Sequence, residues 1–272
     1  MSSASPTQTW IRRSRTTVIG TLAACFVSVA TAATPVVKQP QVDSPQRVLL
    51  VGNSYLYYGD SLHNHLRRIA VAAEPTWSKT MEYKSATIGG ASLSHHNIDW
   101  LTKPGQIGVK EPFQLVILQG HSAAALSEKR QEAFRQAATE ANKLITARGG
   151  KTALYMTHAY VAPHKEAKPD SIRQIESFYI KMGNELNALV IPVGLAFEEA
   201  YRRHPELKLH KAYDGSHPSL IGTYLAAATA FGAIYGKPTV GNAFDAFGEI
   251  DPVTLKKLQQ VADDTVKKFF GR

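Results

Sequence analysis

Two short stretches of this chain hold residues whose types could cooperate in one reaction. Ser54 lies in GNSYLYYGDSL, residues 52–62, two residues past the apolar run RVLLVG at 47–52. A serine hydroxyl is a weak nucleophile and needs a base supplied from elsewhere in the fold. Asp214 and His217 lie in AYDGSHPSL, residues 212–220, three apart in a Gly-containing turn that ends on Pro218. At that spacing a carboxylate can reach one imidazole nitrogen, fix the tautomer and leave the other nitrogen free to take a proton. Each stretch also has a plainer reading, because Ser and Asp ahead of a helix cap its free N–H groups. Taken singly, neither stretch decides between the two.

Other chemistries find less support. Cys25 is the only cysteine, and it falls in the first 32 residues. The rest of the chain therefore has no thiol nucleophile, disulfide or cysteine zinc site. Among the ten histidines, His63 and His65 are two apart on an expected helix and point to different faces. His95 and His96 are adjacent in a loop and offer one ligand between them, and no HExxH string occurs. No metal and no cofactor are expected. No GxSxG surrounds any serine, which argues against the common nucleophile-elbow hydrolases.

The elements that would have to position these residues can be read from apolar runs and periodicity. Strands are expected at 47–52, 81–90, 113–120, 151–158 and 188–194. The third, FQLVILQG, shows no alternation and should be buried on both faces. Helices are expected from near Asp60 through LHNHLRRIAVAA, at 127–147, at 170–188, from Pro218 to about Tyr235, and at 252–270. Alternating strands and helices predict an α/β fold, a parallel sheet covered on both faces. In such folds the chemistry sits beyond the carboxyl ends of the strands. Ser54 follows the first strand directly, and the DGSHP turn would return late in the chain to meet it.

Taken together, GNSY after the first strand and DGSHP before the last large helices resemble the first and last blocks of the SGNH (GDSL-type) hydrolases. The resemblance continues through SATIGGASLSHHN, LVILQGHS, ALYMTHAY and VIPVGLAFEEAYRRHPEL, and covers most of residues 47–242. It implies a flavodoxin-like three-layer sandwich with a five-stranded parallel sheet. It also implies a less-studied bacterial branch that hydrolyses carboxylic esters, commonly of acetyl or other short acyl groups and often on sugars. Ser54, Asp214 and His217 would be the triad. The oxyanion hole would combine the Ser54 N–H, the N–H of Gly90 and a third-block side chain. The third block usually ends in Gly-x-Asn, whereas this chain has Gln119-Gly120-His121, so Gln119 or His121 takes that part. Asn53, Gly89 and His158 are expected to contact substrate. The literal GDSL string at 59–62 is a decoy, because Ser61 lies nine residues past the strand; Asp60 or Ser61 is better read as a helix cap. Two alternatives share the fold: acyl transfer to a glycan hydroxyl, and a catalytically silent glycan-binding module.

The first 32 residues read as an export signal. Arg12, Arg13 and Arg15 precede an apolar run at 18–30 and the small-x-small site Ala30-Thr31-Ala32. A periplasmic or secreted protein is expected, with a lipoprotein anchored at Cys25 as the alternative. Residues 33–45, rich in Pro and polar side chains, read as a linker, and 46–272 as the hydrolase domain. The net charge of +9 falls to +6 without the three arginines, and the remaining basic residues are scattered pairs. That distribution argues against a nucleic-acid partner. A small-molecule or carbohydrate ester is the expected partner, with no stable membrane insertion after processing.

Overall fold

The computed structural model describes residues 1–5 and 34–272. The arginines, the apolar run, Cys25 and the cleavage site of the expected signal lie outside the described residues. The chain divides into Met1–Ala32 and a compact unit, Ala33–Arg272, which carries every strand and helix described. Residues 34–45, read as a linker, form no strand or helix but lie against that unit. Val37 is buried in its core, and Asn184 bonds both the Val36 N–H and the Thr34 carbonyl.

Five strands form one parallel sheet: β1 (Arg47–Gly52), β2 (Glu82–Thr87), β3 (Leu115–Leu118), β4 (Lys151–Tyr155) and β5 (Leu189–Ile191). Their order is β2-β1-β3-β4-β5. The chain leaves β1 to one side for β2, then crosses to the other side for β3. The crevice at such a reversal, beyond the strand ends, is where doubly wound folds bind ligands. Among the described residues eight α-helices accompany the strands: α1 (Ser54–Tyr57), α2 (Leu62–Ala73), α3 (Ile98–Thr102), α4 (Glu128–Ala147), α5 (Ser171–Leu186), α6 (Val193–Arg203), α7 (Leu220–Tyr235) and α8 (Pro252–Phe270).

Alternation within the apolar strands makes two cores. Val48, Leu50, Leu115, Ile117, Ala153 and Tyr155 face a layer built from α2, α6, α7 and α8. Leu49, Val51, Val116, Leu118 and Leu154 face α3, α4 and α5. Each fully buried leucine or isoleucine contributes about 1.5–3 kcal/mol relative to exposure. Helix α7 contains no charged residue and is buried on nearly all sides from Gly222 to Ile234. It packs between α2, α6 and α8, and so anchors the turn that precedes it.

Several boundaries differ from expectation: β2, β3 and β4 end at Thr87, Leu118 and Tyr155, short of residues 90, 120 and 158. The fifth strand was expected to run to residue 194 but stops at Ile191. Pro192 has no N–H for a strand ladder, and Val193 starts α6 instead. Helix α6 itself was not anticipated, because VIPVGLAF reads equally as a buried strand. Helix α7 begins two residues after Pro218, with Ser219 accepting the Gly222 N–H at 3.2 Å.

Candidate active site

Ser54 is the first residue of α1, which starts two residues after β1. Asn53 caps that helix by accepting the Tyr55 N–H at 3.1 Å. This leaves the Ser54 hydroxyl at the carboxyl edge of the sheet, beside the β1–β3 crevice. Ser54 is mostly buried, and its hydroxyl donates to His217 Nε2 at 2.8 Å. His217 Nδ1–H donates to Asp214 Oδ2 at 2.5 Å. The carboxylate partner assigns the proton to Nδ1 and leaves Nε2 as the acceptor. The structure thus brings Ser54, His217 and Asp214 into one chain of hydrogen bonds.

The turn that presents the dyad is held from several sides. Asp214 Oδ1 accepts the N–H groups of Ser216 at 2.8 Å and His217 at 3.0 Å. Burial acts to raise the Asp214 carboxyl, but the hydrogen bonds from His217 and these backbone donors outweigh it and hold it below the usual carboxylate range. Gly215 has φ +62°, and a Cβ there would run into the Val161 carbonyl oxygen. The Gly215 carbonyl accepts the Val161 N–H at 2.9 Å, so the turn is clamped to the loop after β4. Tyr55 reaches the Ser216 hydroxyl at 3.1 Å.

His158 was expected to contact substrate, and the structure corrects this. It is 1% exposed, stacked between Tyr55 and Phe197 with centroids 4.2 and 4.3 Å away. Its Nε2–H donates to the Ser216 carbonyl at 2.9 Å, so it supports the dyad turn from beneath. Burial, with His210 nearby, pushes its pKa well below the ordinary imidazole range. His210 lies against it and bonds Tyr201 at 2.7 Å and the Ala159 carbonyl at 3.1 Å. Burial lowers its pKa to about 4.

The oxyanion expectations divide. The N–H groups of Ser54 and Gly90 find no acceptor among the described residues. Gly90 has φ +67° and open space around it, and Gly89 lies under the Tyr57 hydroxyl. Gln119 does not fit the donor role. It is fully buried, its side-chain oxygen accepts the Asn53 N–H at 2.8 Å, and its amide bonds the Gly120 carbonyl. Asn53 is also withdrawn from substrate: its amide donates to the Ala91 carbonyl at 3.0 Å and the Gly120 carbonyl at 3.3 Å. Asn53 therefore ties the loops after β2 and β3 to the start of α1 at Ser54. His121 accepts the Ala123 N–H on Nδ1 at 3.1 Å, which leaves a proton on Nε2. It lines a cavity of about 430 Å³ with Ser92, Lys129 and Arg130.

Ser61, the decoy, sits at the N-cap of α2 with φ +66°, but its hydroxyl bonds back to the Tyr57 carbonyl and caps nothing. No three His, Cys, Asp or Glu side chains among the described residues converge as a ligand set. No described helix is long and apolar enough to cross a membrane. The sequence reading missed Tyr58, whose ring lies on the His217 imidazole with centroids 4.0 Å apart. Its only signal was the YLYY run directly after Ser54.

No protein-family model matches the chain. No curated protein matches it either. Solved structures do. A DUF4886 family protein from Bacteroides uniformis superposes with a TM-score of 0.61 at 19% identity, over 80% of this chain and 93% of its own. A chain from Slackia heliotrinireducens assigned to the SGNH hydrolases gives 0.54 at 20% identity, over 70% and 98%. An acetylxylan esterase from Geobacillus stearothermophilus gives 0.53 at 13% identity, over 71% and 95%. With its five parallel strands in the order β2-β1-β3-β4-β5, this chain has the three-layer α/β fold of the SGNH (GDSL-type) hydrolases.

Proposed function

We propose that this chain is a serine hydrolase of carboxylic esters, acting on acetyl or other short acyl groups carried by a carbohydrate alcohol. The observation that carries this reading is the unbroken relay from Ser54 through His217 to Asp214 at 2.8 and 2.5 Å. That relay also favours an active enzyme over a silent module. The acetyl xylan esterases among the structural neighbours support the short acyl group and the sugar.

His217 Nε2 takes the hydroxyl proton as Ser54 Oγ attacks the ester carbonyl. Asp214 orients the ring and stabilises the imidazolium. The free N–H groups of Ser54 and Gly90 face the developing oxyanion, with His121 Nε2–H as the third-block donor. His217 then protonates the departing alkoxide, leaving an acyl-Ser54 ester. Water enters, gives its proton to His217 and attacks the acyl carbon, and the carboxylic acid leaves with Ser54 restored. No step calls for a cofactor. Residues 1–32 belong to this proposal as a signal that delivers the enzyme to the periplasm or beyond.

The test pairs a label with a substrate series. A fluorophosphonate probe should modify Ser54, located by peptide mass spectrometry, and p-nitrophenyl esters should be cleaved fastest at acetyl to butyryl length. An unlabelled Ser54 in folded protein would sink the nucleophile assignment. A preference for long chains would sink the short-acyl reading.

A further inference from the structure

The mouth of the site is rimmed by tyrosines that the chemistry above does not use. Tyr58 lies flat on the His217 ring, with an interplanar angle of 18°. Tyr57 stacks against Tyr58 at 5.5 Å and 28°. Tyr213, next to Asp214, donates its hydroxyl to that of Tyr58 at 3.4 Å. On the other side the Tyr57 hydroxyl lies over Gly89, where a Cβ would come within 3.2 Å of it. The three rings therefore form a continuous arc from the Gly89-Gly90 loop, past the catalytic base, to the dyad turn.

Two of these rings are left open to solvent. Tyr57 is 40% exposed and Tyr213 is 68% exposed, both among the few large hydrophobic side chains so exposed in the described residues. Exposed aromatic rings beside a nucleophile offer a flat apolar face with a polar hydroxyl at the edge. A sugar ring has the matching character: carbon-bound hydrogens on its faces and hydroxyls around its rim. An acyl chain would gain more from an enclosed apolar slot than from rings that stay wet on one side.

We propose that Tyr57, Tyr58 and Tyr213 form a stacking platform for a pyranose ring of the acylated glycan, placing its ester oxygen over Ser54. The proposal rests on the ester-hydrolase reading but is tested apart from it. Tyr57 and Tyr213 hold the glycan, whereas Tyr58 also positions His217, so the first two are the informative sites.

The experiment measures binding of acetylated xylo-oligosaccharides and manno-oligosaccharides by calorimetry in a Ser54→Ala background, where turnover cannot interfere. Tyr57→Ala and Tyr213→Ala should each raise Kd by about tenfold, the size of one aromatic stacking contact. Tyr57→Phe and Tyr213→Phe should keep most of the affinity, since the ring faces do the binding. Unchanged affinity in the double alanine variant, or absence of binding to every acetylated glycan, would overturn the platform. So would a selective loss of octanoyl ester hydrolysis in the alanine variants with Ser54 present, which would assign the rim to the acyl chain. Fluorophosphonate labelling of Ser54 reads the hydrolase separately. Labelling without glycan binding rejects the platform alone, and tyrosine-dependent binding without labelling rejects the hydrolase alone.

Discussion

The Gln119 side-chain oxygen accepts the Asn53 backbone N–H at 2.8 Å, out of reach of solvent. The residue standing where a third-block donor was expected thus fixes the backbone one step ahead of Ser54. Gly52 is required beside it, because a Cβ there would run into the same oxygen. Gln119→Ala strands the Asn53 N–H, a loss of about 1–3 kcal/mol for a buried donor. Asn53→Ala removes a helix cap and two buried bonds, and should cost at least as much. Thermal melting should show both losses, and kcat should fall in the fraction that remains folded. A Gln119→Ala protein with wild-type melting would break the argument.

Ser54→Ala should abolish ester hydrolysis with the melting curve intact. Ser61→Ala should keep most activity, since its hydroxyl only bonds the Tyr57 carbonyl. Asp214→Asn should lower kcat by roughly 10²- to 10⁴-fold, by analogy with other triads. His217→Ala should be at least as damaging. If the Asp214 and His217 variants lost activity only in step with folded protein, measured by circular dichroism, the turn would be a structural cap and no more.

Gly215 and Gly90 both hold positive φ, at +62° and +67°, but only Gly215 is hemmed in. Gly90→Ala should carry the left-handed cost alone, about 1–2 kcal/mol. Gly215→Ala adds the collision with the Val161 carbonyl and should be clearly worse. Urea unfolding would compare them directly, and equal midpoints would mean that the loop at Val161 yields freely.

Stability should fall toward acid. His210 is neutral in the fold down to about 4, and burial holds His158 well below the ordinary imidazole range, whereas unfolded imidazoles take a proton near about 6.5. Between those values the unfolded chain binds more protons, so stability is full above the upper one and is lost as pH falls through the window. For His210 alone the loss at pH 4 is on the order of 3 kcal/mol. The depressed Asp214 carboxyl acts in the same direction at lower pH, its contribution present above the unfolded carboxylate value and lost as pH falls through the folded one. A melting temperature that stayed flat from pH 7 to 4 would contradict the burial of this histidine pair. His158→Phe with His210→Phe should flatten the profile, provided the variant still folds.

The sequence alone located the strands and most helices, because short apolar runs broken by Gly-containing loops admit few other packings, β2 with Glu82 and Lys84 being the exception. It also singled out Ser54, Asp214 and His217 as candidates for a local reason. Ser54 sits within two residues of a buried strand, and Asp214 with His217 lies inside one turn, so each half is fixed by short-range geometry. Only the tertiary structure decided what lies between the halves. Gln119, Asn53 and His158 are polar residues at strand ends, and nothing in their neighbours along the chain says whether they face substrate or one another. The parallel register of β1 with β3 sets Gln119 under Asn53, and the packing of α6 sets Phe197 against His158. The tyrosine arc joins residues 57 and 213, whose proximity depends on α7 docking against α2. Contacts of that range depend on how whole layers stack, and a linear pattern of apolar and polar residues does not encode them.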